Sequence, residues 1–351
     1  MPIITVEEAM DSKKTLFIDV RSPSEYQKST IPGAINLPLF SDEERKKIGI
    51  LYHNDKEQAY EKGLEIGSSK LHSIYKSIMS FLISKDKDTK VIVFCWRGGM
   101  RSKSITLNLD MMGIPAFQLK GGYKAYRRFI LEQLETFQNS FHFYTIHGNT
   151  GVGKTQILKS LKVKGEPILD LEELANNRGS MFGNVGLGIS MNQKMFDSLL
   201  YDELRKNNKN YFFVESESRR IGNISLPEFL ISDMEKGSHI LIKANLKERI
   251  DNLKEDYLPI ENKDEIIRLI YNNPFFEKKK GKRWIEGLLF LLSKDDYTQF
   301  IETLLIDYYD PLYLHSEKKY EPYDYVLYND GNVQQCAEQL ILMIHNQHNK
   351  L

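Results

Sequence analysis

A cysteine, a pair of glycines and two arginines form the first group of residues in this sequence that could do chemistry. Cys95 follows the apolar run 91–94, which is typical of a short buried strand. The glycine pair after it leads into a helix start, where backbone N–H groups and the helix dipole favour a thiolate. Arg97 and Arg101 add positive charge, and the loop from Cys95 to Arg101 could curl around a tetrahedral oxyanion. We therefore predict that Cys95 is a nucleophile served by both arginines, and not an inert buried thiol.

A second pattern, in the middle of the chain, predicts phosphate binding. The strand-like run Phe141–His147 is followed at once by Gly148–Thr155, which reads G-N-T-G-V-G-K-T. This is a complete P-loop motif, with a strand before it and a helix after it. Its glycines let backbone N–H groups approach phosphate oxygens, its lysine neutralises terminal phosphates, and its threonine hydroxyl is placed for Mg²⁺. The predicted phosphate-binding residues are Gly148, Gly151, Gly153, Lys154 and Thr155.

Two acidic strand ends compete for the place opposite the P-loop. One is Ile168–Glu172, and the other ends at Glu215 and continues through Glu217. Both glutamates could hold a metal, act as bases or pair with Arg219 and Arg220, and the arginines could clamp a diphosphate bidentately. A solvated charged turn explains the same residues equally well.

The densest basic run of the chain spans residues 275–284 and has aromatic residues at both ends. Its basic side chains could hold RNA phosphates while the rings stack on unpaired bases. A solvated helix face is the common alternative for such a run. The candidate RNA contacts are Lys278, Lys279, Lys280, Lys282 and Arg283.

Composition limits the class of protein. The 351 residues are enough for two domains, and two cysteines give no disulfide framework. Basic and acidic side chains number 48 each, so any RNA site must be a local patch. The sequence shows no signal-peptide pattern and no apolar run of transmembrane length, which predicts a soluble cytoplasmic protein without a membrane partner.

Strand-like runs alternate with helical patterns through the first half of the chain, which predicts a parallel α/β sheet. After the P-loop, strand-like runs give way to helical periodicity at about 246–257, 263–271, 285–292 and 297–305, with a turn at 308–313. We predict an α/β protein of two domains. Residues 1–135 form the first, and residues 136–351 form a P-loop domain with a helical C-terminal part.

The first domain closely resembles rhodanese domains. The segments that carry the resemblance are Asp19–Arg21, Glu25–Tyr26, Ile31–Pro38, the Cys95 loop and Leu119–Tyr123. It implies that Cys95 carries sulfur or selenium as a persulfide or perselenide, and that Asp19 and Arg21 hold the sheet and loop from beneath. The loop is one residue longer than in the common single-domain form and has the spacing of cysteine phosphatases of related fold. A phosphatase is therefore the alternative for this domain taken alone.

A rhodanese domain followed directly by a P-loop domain is an unusual pairing. Four segments accompany this pairing: Cys95–Ser102, Leu169–Glu172, Asn177–Ser180 and Val214–Gly222. Together with the pairing of domains, they make nearly the whole chain resemble the tRNA 2-selenouridine synthases. The resemblance implies a transferase that replaces the sulfur of wobble 2-thiouridine in a tRNA anticodon by selenium from selenophosphate, after geranyl diphosphate has alkylated that sulfur. It implies these two co-substrates, no tightly bound cofactor and no resident metal, although Mg²⁺ could accompany the diphosphate. The expected partners are tRNA and an enzyme that supplies selenophosphate.

Within that interpretation, the P-loop with Lys154, Arg219 and Arg220 holds the departing diphosphate, and the Cys95 loop binds selenophosphate. A geranyl chain also needs an apolar slot, for which ordinary core residues are equally good candidates: Met181, Phe182, Val185 and Leu187. Two rival functions stay open. One is an ATP-dependent sulfurtransferase or kinase fused to a rhodanese and acting on a small thiolated substrate. The other is a tRNA-binding module without activity.

Overall fold

The structure is a computed structural model that describes residues 2–12, 14–83, 85, 88–178, 191–257, 263–312 and 318–348. The chain divides into two compact units. The first comprises Met1–Thr136 and Asn192–Asp202, and the second comprises Phe137–Met191 and Glu203–Leu351. Residues 192–202 lie in the range that we expected to belong wholly to the second domain, and no local pattern indicated their return to the first unit.

The first unit is built on a five-stranded sheet in which every pair of neighbouring strands is parallel. Its strands are β1 (Ile3–Ile4), β2 (Thr15–Asp19), β3 (Ile35–Asn36), β4 (Lys90–Phe94) and β5 (Ala116–Leu119), in the spatial order β1-β5-β4-β2-β3. Its helices are α1 (Val6–Asp11), α2 (Pro23–Lys28), α3 (Asp42–Asn54), α4 (Lys56–Ile83), α5 (Met100–Met111) and α6 (Gly122–Thr136). The predicted parallel α/β sheet is confirmed.

The strand before Cys95 is central in this sheet and buried on both faces. Val91, Ile92, Val93 and Phe94 are all fully buried. A continuous apolar run is what a central parallel strand requires, because helices cover both of its faces. Helix α3 was not predicted, because its first six residues are all charged and show no apolar period. It is started locally by Ser41, whose side chain accepts the backbone N–H of Glu44.

The second unit contains another five-stranded parallel sheet. Its strands are β6 (His142–His147), β7 (Ile168–Leu169), β8 (Tyr211–Glu215), β11 (Ser238–Lys243) and β12 (Tyr325–Tyr328), in the order β12-β11-β6-β8-β7. A separate antiparallel pair is formed by β9 (Arg220–Ile221) and β10 (Ile224–Ser225). The P-loop strand β6 is therefore central, with the acidic end of β8 on one side and β11 on the other.

Helices surround this sheet and then form a separate cluster toward the C-terminus. Those near the sheet are α7 (Lys154–Val163), α8 (Leu171–Ala175), α10 (Glu228–Lys236) and the last helix, α16 (Val333–His348). Helix α9 (Gln193–Lys206) lies mostly in the stretch that belongs to the first unit. The others are α11 (Leu246–Tyr257), α12 (Lys263–Tyr271), α13 (Pro274–Lys280), α14 (Lys282–Ser293) and α15 (Tyr297–Leu304). The expected helical C-terminal part is thus present.

The predicted turn at 308–313 is wrong for the residues that the structure describes. The chain continues from α15 through a π-helical stretch, Leu305–Tyr309, and stays helical to Leu312. Asp310 and Pro311 suggested a turn, but Tyr308 and Tyr309 pack into the hydrophobic cluster of the C-terminal helices. Burial of two successive aromatic rings favours the widened helical turn over a surface loop.

Candidate functional site

The thiol of Cys95 lies directly after β4, where a phosphate-sized anion was expected to bind. Its side chain is buried, with 3% exposure. Sγ accepts a hydrogen bond from the backbone N–H of Gly99 at 3.3 Å and lies 3.3 Å from Oγ of Ser102. Helix α5 begins at Met100, so its N-terminus adds a further positive dipole near the sulfur. Both the N–H group and the helix N-terminus therefore direct positive partial charge toward the sulfur.

Ser102 was not predicted as a site residue, yet its hydroxyl is fixed beside the sulfur. Ser102 is fully buried. Nε2 of Gln118 donates to Ser102 Oγ at 2.9 Å and to the carbonyl oxygens of Gly98 and Gly99 at 2.8 and 3.2 Å. Ser102 therefore retains its single proton for the carbonyl of Gly99, at 3.2 Å, or for the sulfur of Cys95.

Two glycines allow the loop to pack against the segment that follows β5. Gly98 and Gly122 have φ values of +64° and +60°. A Cβ on Gly122 would lie 2.2 Å from the carbonyl oxygen of Cys95, and one on Gly98 would lie 2.8 Å from that of Leu119. The close approach lets the backbone N–H of Tyr123 donate to the Cys95 carbonyl at 2.9 Å. Only glycine fits either position.

The two arginines of the loop differ in their surroundings. Arg97 is exposed, and within the described residues its side chain makes no ion pair or hydrogen bond. Arg101 donates to the carboxylate of Glu25 at 2.7 Å, and Arg45 lies 3.1 Å from the same oxygen. Burial alone would raise the pKa of Glu25, but the hydrogen bond and charge of Arg101 outweigh it and hold that pKa below its usual value. Glu25 therefore stays ionised and offsets the charge of Arg101.

Asp19 and Arg21 form the buried support that was expected beneath the loop. Both are almost completely buried, and their ion pair joins Nη2 to Oδ2 at 2.6 Å. Thr30 donates to the same carboxylate at 2.9 Å, and the guanidinium lies 4.2 Å from the ring centroid of Tyr123. Because the pair is buried and satisfied by hydrogen bonds, it is not available to a ligand.

The P-loop has the strand–loop–helix geometry that the motif predicts. Gly148, Gly151 and Gly153 all have positive φ, and α7 begins at Lys154. Nζ of Lys154 donates to the carbonyl oxygen of Gly148 at 2.9 Å, so the lysine lies across its own loop. Thr155 follows it in the first turn of the helix, and both side chains line a cavity beside the loop.

The P-loop is braced from outside by side chains that the sequence did not identify. Three side chains donate to successive carbonyl oxygens of the loop: Arg249 to Thr150 at 2.8 Å, Asn252 to Gly151 at 2.8 Å and Asn329 to Val152 at 2.9 Å. Arg249 also pairs with Asp310, Nη1 to Oδ2 at 3.0 Å, which links the loop to the helical cluster. These hydrogen bonds occupy carbonyl oxygens that would otherwise repel an anion.

Three carboxylates from the two competing acidic segments converge beside the P-loop. Oxygens of Glu172, Glu215 and Glu217 all lie within 4.8 Å of one another. Glu215 ends β8 and pairs in register with Ile146, the second-last residue of the P-loop strand. Both segments therefore contribute, whereas Asp170 instead starts α8 by accepting the N–H of Glu173 at 2.8 Å.

The crowding of these carboxylates changes their protonation. Burial, together with the charges of Glu215 and Glu217, raises the pKa of Glu172 to about 9. Burial and the charge of Glu215 raise the pKa of Glu217 to about 8, against the opposing effect of Lys154. The cluster therefore holds protons at neutral pH unless a cation replaces them.

The P-loop and the carboxylates face a cavity of about 620 Å³. One wall is apolar and belongs to the helical cluster: Leu253, Tyr308, Tyr309 and Leu312. Cγ of Leu253 lies 3.1 Å from the position that a Cβ on Gly151 would occupy. The apolar surface thus starts close to the phosphate-binding glycine Gly151. The sequence did not predict it, because the two segments are distant in the chain.

Of the two arginines predicted to clamp a diphosphate, the structure brings Arg219 to the cavity and not Arg220. Arg219 lines it and forms an ion pair with Glu228 at 2.8 Å. Nε of Arg220 instead donates to Ser225 at 3.4 Å along the β9–β10 hairpin. Arg178 also lines the cavity and was not predicted.

The aromatic part of the predicted RNA contact is wrong for Phe276. Its ring is fully buried and packs against Trp284 and Tyr308, with centroids 5.4 and 4.9 Å apart. Trp284 is half-buried, and its Nε1 donates to Asp307 at 2.7 Å. The helical turn points the rings of Phe276 and Trp284 toward the core and leaves the basic side chains in solvent, so neither of these two described rings is placed to stack on a base. The five exposed basic residues are Lys278, Lys279, Lys280, Lys282 and Arg283.

The candidate slot residues Met181, Phe182, Val185 and Leu187 lie outside the residues that the structure describes. Within the described ranges, no helix is long and apolar enough to cross a membrane.

Comparisons with known proteins match both units. A family model described as the tRNA 2-selenouridine synthase AAA domain matches residues 141–278, and one described as the rhodanese-like domain matches residues 4–129. The tRNA 2-selenouridine synthase of Marinobacter nauticus is 32% identical over 328 residues, which cover 84% of this chain and 86% of the relative. This chain belongs to the tRNA 2-selenouridine synthase family.

Other members support the assignment. The tRNA 2-selenouridine synthase of Bdellovibrio bacteriovorus is 33% identical over 260 residues, 71% of this chain and 67% of the relative. That of Hydrogenovibrio crunogenus is 29% identical over 336 residues, 88% of this chain and 90% of the relative. As a tRNA 2-selenouridine synthase family member, the chain is an enzyme, and both the rhodanese-like and the P-loop-like parts expected from its sequence are confirmed.

Proposed function

We propose that this enzyme converts wobble 2-thiouridine of tRNA to 2-selenouridine in two steps. Geranyl diphosphate first alkylates the sulfur at the P-loop cavity, and selenium from selenophosphate then displaces the alkylated sulfur with the help of the Cys95 loop. Membership of the family supports the tRNA substrate and the selenium product. The two donors are supported by the two anion-binding loops.

The observation that carries the first step is the closeness of Leu253 to Gly151. An apolar wall that starts directly at the phosphate-binding glycines suits a diphosphate ester with a hydrocarbon tail. The diphosphate would lie on the N–H groups of the loop, and the tail would cover Tyr308, Tyr309 and Leu312. Leu253 and Leu312 in this wall offer no hydrogen bond to the sugar of a nucleotide.

The alkylation step needs little covalent chemistry from the protein. The thiocarbonyl sulfur attacks C1 of the geranyl group, the C1–O bond breaks, and its electron pair leaves on the diphosphate. The N3 proton of the base is released, so the product is neutral. Lys154 and Arg219 stabilise the charge that develops on the diphosphate. The product carries a thiolate leaving group, which a thiocarbonyl does not have.

The carboxylate cluster fits Mg²⁺. Three carboxylates within 4.8 Å supply the oxygen ligands that this ion prefers, and their raised pKa values are those of a cluster without a compensating cation of its own. Glu172, Glu215 and Glu217 would hold the ion, with Thr155 on the phosphate side. When bound, it would neutralise charge on the departing diphosphate.

The second step belongs to the Cys95 loop. Gly99 presents an N–H to the sulfur, α5 directs its N-terminus to the loop, and Arg97 offers an unengaged charge in the described structure. These features suit the selenophosphate oxyanion. The exposed basic residues at 278–283 would bind tRNA phosphates.

The proposal is tested by nucleoside mass spectrometry. Thiolated tRNA is incubated with the enzyme and geranyl diphosphate, then with selenophosphate, and digested after each addition. We expect S-geranylated 2-thiouridine first and 2-selenouridine second. The Cys95→Ser variant should accumulate the geranylated nucleoside. ATP consumption without any alkylated nucleoside would support the sulfurtransferase or kinase alternative instead.

A further inference from the structure

The electron count of selenium transfer limits what Cys95 can do. In selenophosphate, selenium is at the selenide level and phosphorus at the level of phosphate. If the Cys95 thiolate attacked selenium, a perselenide would form and phosphorus would depart with the electron pair of the P–Se bond, as phosphite. If it attacked phosphorus, selenide would depart and phosphorus would keep its oxidation state. Of these two routes, only the second releases selenium as hydroselenide and leaves phosphorus at the level of phosphate.

The geometry of the loop suits attack on phosphorus. Five residues separate Cys95 from Arg101, and the loop ends at the start of α5. A loop of this length can curl around a tetrahedral group of phosphate size. The backbone N–H of Gly99 already points at Sγ, and the cation of Lys194 lies 5.5 Å from the ring centroid of Trp96, the next residue after the cysteine.

Ser102 supplies what a phosphorylated cysteine needs in order to be hydrolysed. Its hydroxyl lies 3.3 Å from Sγ, and Gln118 holds it in place at 2.9 Å. Because a thiolate has no proton to donate, the Ser102 proton can point at it and stabilise it. This stabilises the thiolate as a leaving group when water attacks the P–S bond.

The surroundings also fit selenide as the first leaving group. An alcohol leaving from phosphorus needs a proton from a general acid. Glu25 contacts Arg101, but its lowered pKa keeps it ionised, and its oxygen is held by Arg101 and Arg45. Hydroselenide is the conjugate base of a far stronger acid than an alcohol and leaves without that help. The loop therefore suits selenophosphate better than ordinary phosphate esters.

We infer that Cys95 attacks the phosphorus of selenophosphate and forms S-phosphocysteine while releasing hydroselenide. The new bond is S–P, the broken bond is P–Se, and its electron pair leaves on selenium, which already carries the proton of hydrogen selenophosphate and so departs as hydroselenide. Water then cleaves the S–P bond, giving phosphate and restoring the thiolate with Ser102 as its hydrogen-bond donor. The released hydroselenide displaces the geranyl thiolate from the base. This inference rests on the proposed function and specifies its second step.

The test follows phosphorus and selenium separately in a single turnover. The full-length enzyme, with S-geranylated tRNA present, is mixed with selenophosphate carrying radioactive phosphorus and quenched in alkaline denaturant. The Ser102→Ala variant should retain about one phosphoryl group per chain, because loss of the hydroxyl slows hydrolysis more than attack. The label should map to the Cys95 peptide and be absent from Cys95→Ser. Gln118→Ala keeps the Ser102 hydroxyl but loosens it, together with the carbonyls of Gly98 and Gly99, and should retain less label than Ser102→Ala.

The identity of the phosphorus product provides a test that needs no variant. Phosphorus NMR of the wild-type reaction should show phosphate and no phosphite. Phosphite, or a Cys95 peptide with the isotope pattern of selenium, would overturn the inference and leave the proposed function intact. Selenouridine formation without any label on Ser102→Ala, in a variant that stays folded and active, would overturn it too. Failure of wild type to form selenouridine from geranylated tRNA would instead overturn the proposed function.

Discussion

The guanidinium of Arg101 donates to the carboxylate of Glu25 at 2.7 Å, although the two residues are 76 positions apart. We expected Arg101 to bind an anion, but Glu25 partly neutralises its charge. The pair has side-chain exposures of 19% and 17%, so its attraction is only moderately screened by solvent. Glu25 therefore weakens the positive field at the Cys95 loop while it fixes the position of Arg101.

Replacing Glu25 by glutamine should tighten binding of selenophosphate. The amide oxygen can still accept the N–H of Ser22, but it no longer offsets the charge of Arg101. We expect the half-saturating selenophosphate concentration to fall about five-fold, equivalent to about 1 kcal/mol. Glu65→Gln removes the same charge from an exposed pair on α4 and should change nothing. An unchanged or higher half-saturating concentration in Glu25→Gln would count against this interpretation of the pair.

Filling the apolar wall should shorten the prenyl chain that the enzyme accepts. Leu312 lines the cavity and is 41% exposed, so a Leu312→Trp change should leave the core intact. We expect kcat/KM for geranyl diphosphate to fall about ten-fold relative to that for dimethylallyl diphosphate. Leu342→Trp, at a 62% exposed position on α16, is the matched control. An equal fall in kcat/KM for geranyl and dimethylallyl diphosphate would show that the geranyl chain does not lie against Leu312.

The carboxylate cluster predicts a pH-dependent stability in metal-free protein. Because the pKa of Glu217 is raised to about 8 in the folded state, the folded chain keeps a proton that the unfolded chain loses above about pH 4.5. Stability should therefore fall as pH rises from about 4.5 to 8. In calorimetry with a chelator, Glu217→Gln should melt at the wild-type temperature near pH 5 and above it near pH 8.5. If the difference in melting temperature between the variant and wild type shrank as pH rose, the raised pKa of Glu217 would be refuted.

The exposed basic run predicts an electrostatic contribution to tRNA binding. The double variant Lys278→Gln/Lys280→Gln should bind tRNA several-fold more weakly. The slope of log affinity against log salt should decrease by about one for each phosphate that the variant no longer neutralises. Lys46→Gln/Lys47→Gln removes the same charge from exposed positions on α3. Identical salt slopes for both double variants would assign the run at 278–283 to solvent.

The sequence predicted features that depend on neighbours along the chain. The P-loop, the Cys95 loop and the parallel sheets follow from short patterns of glycine, charge and apolar run length. The sequence could not predict which side chains meet across the fold. The contact of Leu253 with Gly151 joins residues about a hundred positions apart, and the fixing of Ser102 by Gln118 depends on the packing of α5 against β5.

For Phe276, neighbours along the chain led to a wrong prediction. A basic run flanked by aromatic residues has the composition of a single-strand binding site, but helical geometry separates the two kinds of side chain. In α13 the lysines face solvent while the Phe276 ring is fully buried. The sequence shows which residues are neighbours along the chain, but the helical repeat decides which face of the helix each one occupies.

The most direct test of two separate donor pockets bypasses the first one. Lys154→Ala should fail to alkylate thiolated tRNA, because the P-loop loses the charge that stabilises the departing diphosphate. Supplied with tRNA that already carries S-geranyl-2-thiouridine, the same variant should form 2-selenouridine from selenophosphate at close to the wild-type rate. A variant that cannot selenate the pre-geranylated tRNA, while still folded and able to bind it, would contradict the account.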